Sequence, residues 1–392
     1  MARATVEGSV GSQTGRRKLS EFSFELATPA DDPAIRRLLA AQPVPGQITV
    51  TYEREPDYFL ACRTMGRFCQ VLVARHQPSG EVVAVASRTT CPRFINGQVE
   101  EVGYIGQLRV AEQFQGHWIV SNGFRFFRQL HADRRVRGYL TTIIEGNNQA
   151  QGVLVDRPRR HFPVYRQVDR LCTLALILHK PFPGWGRRWR SAAYELGRGS
   201  AADLRAILTF LRQYGPAKQF FPVYHEADFG NDSTTLGFQV EDFVIARQNG
   251  RMIGVMGLWD QSSYKQTVVQ NYGNSLRWFR PFYNLGARLS RAQPLPVPGQ
   301  PIHFAYASFI CIAENDPVVF QELLAYLYHL AAEQGYAYLM VGLAERDPLL
   351  AAARRYAHIP YYSRLYTVCW PGEEKFHQQL DQRVPYVEIA TL

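Results

Sequence analysis

The sequence predicts an α/β protein of the α+β type: two tandem domains, each a mixed, mostly antiparallel sheet flanked by helices. Three observations predict it. The chain has 392 residues, and at roughly 100–200 residues per domain that length suggests two units. One order of elements (strand, two helices, three strands, helix, strand, helix, strand) can be read twice along it. Between the two readings lies a stretch holding Pro181, Pro183, Gly184, Gly186 and three arginines, which breaks both helix and strand periodicity. The expected organisation is a flexible tail over 1–20, a first domain over 21–180, a linker over 181–193 and a second domain over 194–392.

The first half opens on alternating Phe22, Phe24 and Leu26, a strand over 22–27. Thr28, Asp31 and Asp32, with Pro29 and Pro33, then signal a helix start. They supply capping side chains, acidic charge at the positive end of the dipole and proline in the first turn. That helix carries Ile35, Leu38 and Leu39, and a second helical stretch lies near 57–64. β-Branched runs at 70–75 and 81–87 flank a turn at 77–80 and read as a hairpin. A strand over 100–110 follows, then a helix over 117–131 with Ile119, Gly123, Phe126, Phe127 and Leu130 on one face. A strand over 139–144, a short helix over 148–155 and an apolar strand over 169–178 complete the half.

The second half repeats the order. A strand over 194–196 meets a capped helix start at Ser200 and Asp203. A hairpin spans 242–247 and 252–259 around Asn249-Gly250. A strand over 302–312, a helix over 317–333, a strand over 337–342, a helix over 348–356 and a strand over 363–369 close it. An insert at 264–295 carries Trp278, Arg280, Phe282, Tyr283 and Arg288. It reads as a lid, an interface or a small core of its own.

Hydrophobic residues make up 46% and charged residues 20%, a balance that excludes global disorder. No apolar run approaches the ~18–20 residues of a membrane-spanning helix, and the polar segment 1–20 is not a secretory signal. A cytoplasmic location is the default. Six cysteines include no Cys-x-x-Cys pair, so no structural zinc site, and no metal at all, is expected. Cys172, Cys311 and Cys369 sit in apolar runs and read as buried small hydrophobes. The net charge is +10, which speaks of anionic partners rather than of fold. It is dispersed in short clusters without a long basic tract interleaved with aromatics. Nucleic acid is therefore not the expected partner; binding of that kind would be strongly salt-dependent.

The stretch that carries chemistry runs Gly106-Gln107-Leu108-Arg109-Val110-Ala111-Glu112-Gln113-Phe114-Gln115-Gly116-His117-Trp118-Ile119. A strand ends at Val110, and a short loop with one glycine leads into a helix. Successive N–H groups of such a loop, with the helix N-terminus, form a site for a diphosphate.

These residues resemble the signature of the Gcn5-related N-acetyltransferase (GNAT) superfamily: a strand ending Leu-x-Val, then Gln/Arg-x-x-Gly-x-Gly/Ala opening a helix. Leu108 and Val110 match the strand end, and Gln113 and Gly116 match the loop; Trp118 departs from the second small position. The family's element order fits the whole first half. Glu145-Gly146-Asn147-Asn148-Gln149-Ala150 is similar to the family's Asn-x-x-Ala at its fourth helix. The resemblance implies acetyl-CoA, or another acyl-CoA, held by Leu108, Arg109, Val110, Gln113, Phe114, Gln115, Gly116, His117, Trp118 and Asn147. It implies an N-acyltransferase in which an amine attacks the thioester directly. Candidates for the base are Tyr104 (through a water), Glu101 and Glu145. The family's acid tyrosine falls here on Leu154, so Tyr165 is the nearest substitute. Strand register sets Tyr104, Leu108 and Val110 on one face unless the family's usual bulge intervenes. Arg125, Arg128, Arg157, Arg159 and His161 are candidate neighbours of the CoA phosphates.

The equivalent stretch of the second half, Phe309-Ile310-Cys311-Ile312-Ala313-Glu314-Asn315-Asp316-Pro317, has no glycine and two carboxylates. Glycine lets backbone approach phosphate and carboxylates repel it, so this half is expected to lack acyl-CoA binding. The acceptor amine, a small molecule or a peptide, is not specified, and assembly into a homo-oligomer stays open. Other readings are a non-catalytic acyl-CoA-binding or regulatory protein and a FemX-like aminoacyl-tRNA-dependent transferase. N-myristoyltransferases are tandem too.

Overall fold

The computed structural model describes residues 21–392 except 116, 157–161, 181–193, 231–232, 274–279, 281–283 and 287–291. The expected tail and linker lie outside the described residues, as do Gly116, Arg157, Arg159, His161, Trp278, Phe282, Tyr283 and Arg288.

In the first half the strands are β1 (Phe22–Leu26), β2 (Ile48–Glu53), β3 (Phe68–His76), β4 (Val82–Ile95), β5 (Gln98–Val110), β6 (Tyr139–Ile144) and β7 (Val164–Ile177). In the second they are β8 (Glu195–Arg198), β9 (Phe243–Gln248), β10 (Arg251–Trp259), β11 (Gln266–Tyr272), β12 (Phe304–Ile312), β13 (Tyr338–Ala344) and β14 (His358–Cys369). The helices that matter are α1 (Asp32–Ala40), α2 (Tyr58–Arg63), α3 (His117–His131), α4 (Asn148–Gln151), α5 (Leu204–Tyr214) and α6 (Pro317–Glu333).

Local chemistry explains the helix starts. The Asp31 carboxylate accepts from the N–H and the hydroxyl of Thr28 at 2.8 and 3.0 Å, closing a capping box ahead of α1. Ser200 and Asp203 do the same ahead of α5, at 3.0 and 2.6 Å. α1 buries Ile35, Leu38 and Leu39, and α5 buries Ile207, Phe210 and Leu211, at the spacing of one helix face.

Twelve strands form one sheet in the order β1-β3-β4-β5-β6-β14-β7-β13-β12-β10-β9-β8. Each half contributes six, and the two sets mirror each other about the β14–β7 pair. The β5–β6 and β12–β13 pairs are parallel, and the other pairs of this sheet are antiparallel. The halves exchange their closing strands. β14 pairs with β6 from Ser363↔Ile144 to Val368↔Tyr139. β7 pairs with β13 from Tyr338↔Ile177 to Ala344↔Leu171. β7 and β14 then pair with each other from His358↔Leu176 to Cys369↔Val164. The two expected sheets are thus joined as one. β13 and the second half of β7, from Leu171 on, are largely buried, which is why they read as continuous apolar runs.

A second contact between the halves was not read from the sequence. β2 pairs with β11, Glu53↔Gln266 to Ile48↔Tyr272, as a separate two-stranded ribbon. β11 is the first part of the insert, so this part of it belongs to an interface between halves. No helix among the described residues is long and apolar enough to cross a membrane.

Candidate active site

β5 holds a bulge at the position where the sequence left register open. Ser87 faces Gly106 and Val85 faces Arg109, so three residue steps on β5 oppose two on β4. Gln107 takes up the difference with φ +56°. A bulge bends a strand and re-aims its side chains. On its other edge β5 pairs with β6 only at Gly103↔Tyr139 and Tyr104↔Leu140. Beyond Tyr104 the two strands diverge, and residues 105–110 form one wall of a wedge. The backbone groups on that wall have no ladder partner on the β6 side.

The residues around the wedge divide by face. Leu108 joins Phe24, Leu72, Ile105, Phe124 and Phe127 around an apolar cavity of about 40 Å³ beneath α3. Arg109, next along the strand, points to the opposite face. Tyr104 is buried and its hydroxyl pairs with Thr142 Oγ1 at 2.8 Å, bridging β5 to β6 where the ladder has ended. Burial raises its pKa. Gly106 is required beside it: a Cβ there would meet Tyr104 Cε1 at 2.6 Å.

Of the loop residues, Gln113 and Gln115 are exposed, and Gln115 Oε1 accepts from Gln149 Nε2 at 3.0 Å. That bond ties the loop to α4 across the mouth of the wedge. Asn147 caps α4, its Oδ1 accepting from the N–H of Ala150 at 3.0 Å. Gly116 and the side chain of His117 lie outside the described residues. Phe114 and Trp118 turn into the core. Their rings pack on Phe22 at 5.6 and 4.5 Å between centroids, in a small cluster with Ala74, Ala84 and Ile119. A bulky residue fits where the family signature has a small one because its ring turns into this cluster.

Three catalytic candidates are corrected. Glu145 ends β6 as expected, but Arg170 holds its carboxylate through two hydrogen bonds of 2.9 and 2.8 Å, and Arg364 approaches at 3.5 Å. The hydrogen bond from Arg170 holds its pKa below the ordinary value, which makes it a poor base. Glu101 is exposed and lies six residues before Gln107 on β5, about 20 Å along the strand at ~3.3 Å per residue. Tyr165 faces Val368, level with Tyr139 and at the far end of the strands from Ile144. It packs on Tyr366 at 6.1 Å in the core, and burial raises its pKa. Leu154 is also core. Of the four catalytic candidates, the structure brings only Tyr104 to the wedge.

The second half repeats the wedge. Gly257 faces Ser308 and Val255 faces Cys311, Phe309 has φ +55°, and β12 leaves β13 after Tyr306↔Met340. Phe309 and Ile310 therefore stand where Gln107 and Leu108 stand. Here the two amides are already used. Phe309 N–H donates to Glu388 Oε2 at 2.8 Å, and Ile310 N–H to the Tyr386 hydroxyl at 3.1 Å. The Tyr386 hydroxyl in turn donates to Glu388 Oε2 at 2.8 Å. Glu388 is fully buried, and burial raises its pKa. The start of α6 is closed as well, because Asp316 caps the N–H of Val318 at 2.7 Å. Segment 386–392 fills in the second half the wedge that stands open in the first.

Sequence reading missed a cationic group on the Arg109 face. Arg54 follows β2 and Lys265 precedes β11, and only 6% and 7% of their surfaces are exposed. Burial holds both pKa values below their ordinary positions, that of Lys265 well below. Burial, and then Arg54, do the same to Arg109. Tyr52, Tyr58, Tyr264 and Tyr306 surround them, each with its pKa raised by burial. The strand signal was present in Ile48-Thr49-Val50-Thr51-Tyr52-Glu53, but nothing local marks the residue after it.

No family model and no curated protein sequence matches the chain. Solved structures do. A GCN5-related N-acetyltransferase from Sphaerobacter thermophilus is 12% identical and matches over 95% of this chain and 99% of its own, with a TM-score of 0.50. Saccharomyces cerevisiae N-myristoyltransferase with bound myristoyl-CoA is 10% identical over 89% and 83%, with a TM-score of 0.54. A GCN5-related glucosamine N-acetyltransferase region of a fungal multi-domain GH3 β-N-acetylglucosaminidase is 13% identical over 88% of this chain and 38% of that one, with a TM-score of 0.58. The likeness is one of fold: the chain has the GNAT fold, as the element order and loop motif lead one to expect.

Proposed function

We propose that this chain is an acyl-CoA-dependent N-acyltransferase whose donor site is the first-half wedge and whose second half has no donor site. The observation that carries this reading is the contrast between the wedges. The same bulge is built twice; in one copy the amides at the bulge are taken by Glu388 and Tyr386, and in the other the wall at 105–110 has no such occupant among the described residues. Beyond Tyr104 the backbone of β5 has no ladder partner on the β6 side, an arrangement suited to a ligand. The GNAT fold of proteins that include a myristoyl-CoA-bound structure supports an acyl-CoA as that ligand.

In this reading the pantetheine lies along 105–110 and the diphosphate at the loop 111–117. The amine nitrogen attacks the thioester carbonyl carbon; the C–N bond forms, the C–S bond breaks, and the proton lost by the amine balances the departing thiolate. Wedge N–H groups stabilise the oxyanion. Tyr104 is protonated at neutral pH, the more firmly because burial raises its pKa; it donates to the thiolate, directly or through a water, and is reprotonated by the proton that the amine nitrogen releases. The acceptor amine arrives uncharged, since none of the three corrected candidates stands at the wedge to take its proton.

Acetyl is the default acyl group. A longer chain is a second reading, supported by the likeness in fold to a structure that binds myristoyl-CoA; the apolar cavity behind Leu108, at about 40 Å³, has room for no more than a small group as it stands. Calorimetric titration with CoA, acetyl-CoA and a longer acyl-CoA tests both, with Gly116→Glu as the control for the loop. Saturable binding lost in that variant supports the reading, and the preferred chain length selects the acyl group. No binding of any of the three overturns it.

A further inference from the structure

β2 and β11 pair with Glu53 opposite Gln266, so Arg54 and Lys265 occupy the next rung of the same ribbon. Gln266 fixes that rung by accepting from the N–H of Glu55 at 2.9 Å and donating to its carbonyl at 3.0 Å. Like charges set opposite one another repel, and here both are buried. Their hydrogen bonds do not neutralise them. Arg54 donates to the carbonyl of Glu53 at 3.0 Å, Lys265 to that of Ala390 at 2.7 Å, and Arg109 to that of Leu108 at 2.9 Å. Among the described residues none of the three forms an ion pair. The Cys62 thiol, and after it the Glu388 carboxylate, act on Lys265 from a distance; Cys62 also acts on Arg54, and Glu388 is committed to Phe309 and Tyr386.

A buried charge is normally paired, because desolvation without a partner is costly. A second observation points the same way. Tyr58 is 1% exposed and its hydroxyl, beside Arg54, has only the Cys62 thiol, a weak partner, within reach and no well-formed hydrogen bond among the described residues. Two guanidinium groups, the Lys265 amino group and the Tyr58 hydroxyl converge on the face of β5 opposite the apolar cavity. Arg109 stands two residues beyond the bulge, so whatever they hold lies beside the thioester and on the side away from Leu108.

We propose that Arg54, Lys265 and Arg109, with the Tyr58 hydroxyl, form a receptor for an anionic group, carboxylate or phosphate, carried by the acceptor amine. The acceptor is then a small anionic amine, an amino acid or an aminoalkyl phosphate, rather than a neutral amine or a polyamine. The word acceptor rests on the acyltransferase reading; the receptor does not.

The test uses the full chain and four probes: inorganic phosphate, glycine, phosphoethanolamine and ethanolamine. Calorimetry and thermal midpoints are recorded for wild type, Arg54→Met, Arg54→Lys and Lys265→Met. Expected is saturable binding of at least one of the three anionic probes, with ethanolamine at least about tenfold weaker. Arg54→Met and Lys265→Met should lower anion affinity at least about tenfold without lowering the thermal midpoint of the free protein, since each replaces a buried head group that no carboxylate pairs with apolar volume. Arg54→Lys should retain part of the affinity. Equal binding of ethanolamine, unchanged anion binding in both Met variants, a midpoint lowered in both, or no response to any anionic probe each overturns the receptor. Acetyl-CoA titrated into the same samples separates the two readings. Anion binding without acyl-CoA binding keeps the receptor and sinks the acyltransferase; the converse does the opposite.

Discussion

The backbone N–H of Phe309 donates to the carboxylate of Glu388 at 2.8 Å, at the bulge position that Gln107 holds in the first half. One chain thus carries the same bulge in two conditions, closed by its own tail and open. Glu388→Ala leaves Phe309 N–H and the Tyr386 hydroxyl without their buried acceptor and creates a cavity. The variant should lose about 2–4 kcal/mol of unfolding free energy, read by urea denaturation, with acyl-CoA affinity changed little. A loss below about 0.5 kcal/mol would mean that the carboxylate does not hold the tail in place.

Glu145→Gln separates tie from base. If Glu145 serves only to join β6 to β7 and β14, thiol release should stay within about threefold of wild type, against the roughly 10²–10⁴-fold loss expected on removing a general base. The stability effect has a defined sign. The folded carboxylate titrates below its ordinary 4.5, so its contribution is present above that pH and is lost as pH falls through the folded value. Being partly exposed, it is worth only about 0.5–1 kcal/mol. The thermal midpoints of wild type and variant should differ at pH 7 and converge in acid, as pH falls through the lowered folded value. A gap that persists in acid would place the interaction elsewhere.

Tyr104→Phe removes the hydroxyl that bridges to Thr142 and little else. Turnover should fall by about 10²-fold with acyl-CoA affinity unchanged, as for a proton donor. Loss of affinity with turnover intact would make Tyr104 a wall of the wedge and not a participant in the chemistry.

Gly106→Val sets a side chain against the Tyr104 ring, where even a Cβ would lie at 2.6 Å. Overpacking of this kind costs about 1–3 kcal/mol, and because the displaced ring borders the wedge, acyl-CoA binding should weaken together with stability. A variant of normal stability and affinity would show that the ring moves freely.

The loop motif and the element order were legible because both rest on local chemistry. Thr28 with Asp31 and Ser200 with Asp203 are caps readable three residues apart, and Leu108 to Gly116 is one contiguous stretch. The lack of a glycine between Phe309 and Pro317 marked a difference between the halves, but the groups that occupy the second bulge, Tyr386 and Glu388, lie far beyond that stretch. The catalytic candidates were read less well, for a related reason. Glu145 was placed at the right strand end, yet its Arg170 partner is on β7, 25 residues on. A carboxylate's basicity is set by such neighbours rather than by its position in the chain.

The sequence by itself determined most of the order of elements, missing β2 and β11 and expecting a second helix before β9 where only short turns occur, and it determined the helix starts at Thr28 and Ser200, because these follow from periodicity or from contacts within a few residues. Tertiary structure alone decided that β7 and β14 change places, that segment 386–392 closes the second wedge, and that Arg54 stands across from Lys265. The exchange and the ribbon depend on pairings such as Ile359↔Ala175 and Glu53↔Gln266, and the closure on bonds spanning 79 and 76 positions. Strand pairing is set by backbone hydrogen bonds that nearly every residue offers equally, so the choice of partner falls to packing across the whole sheet.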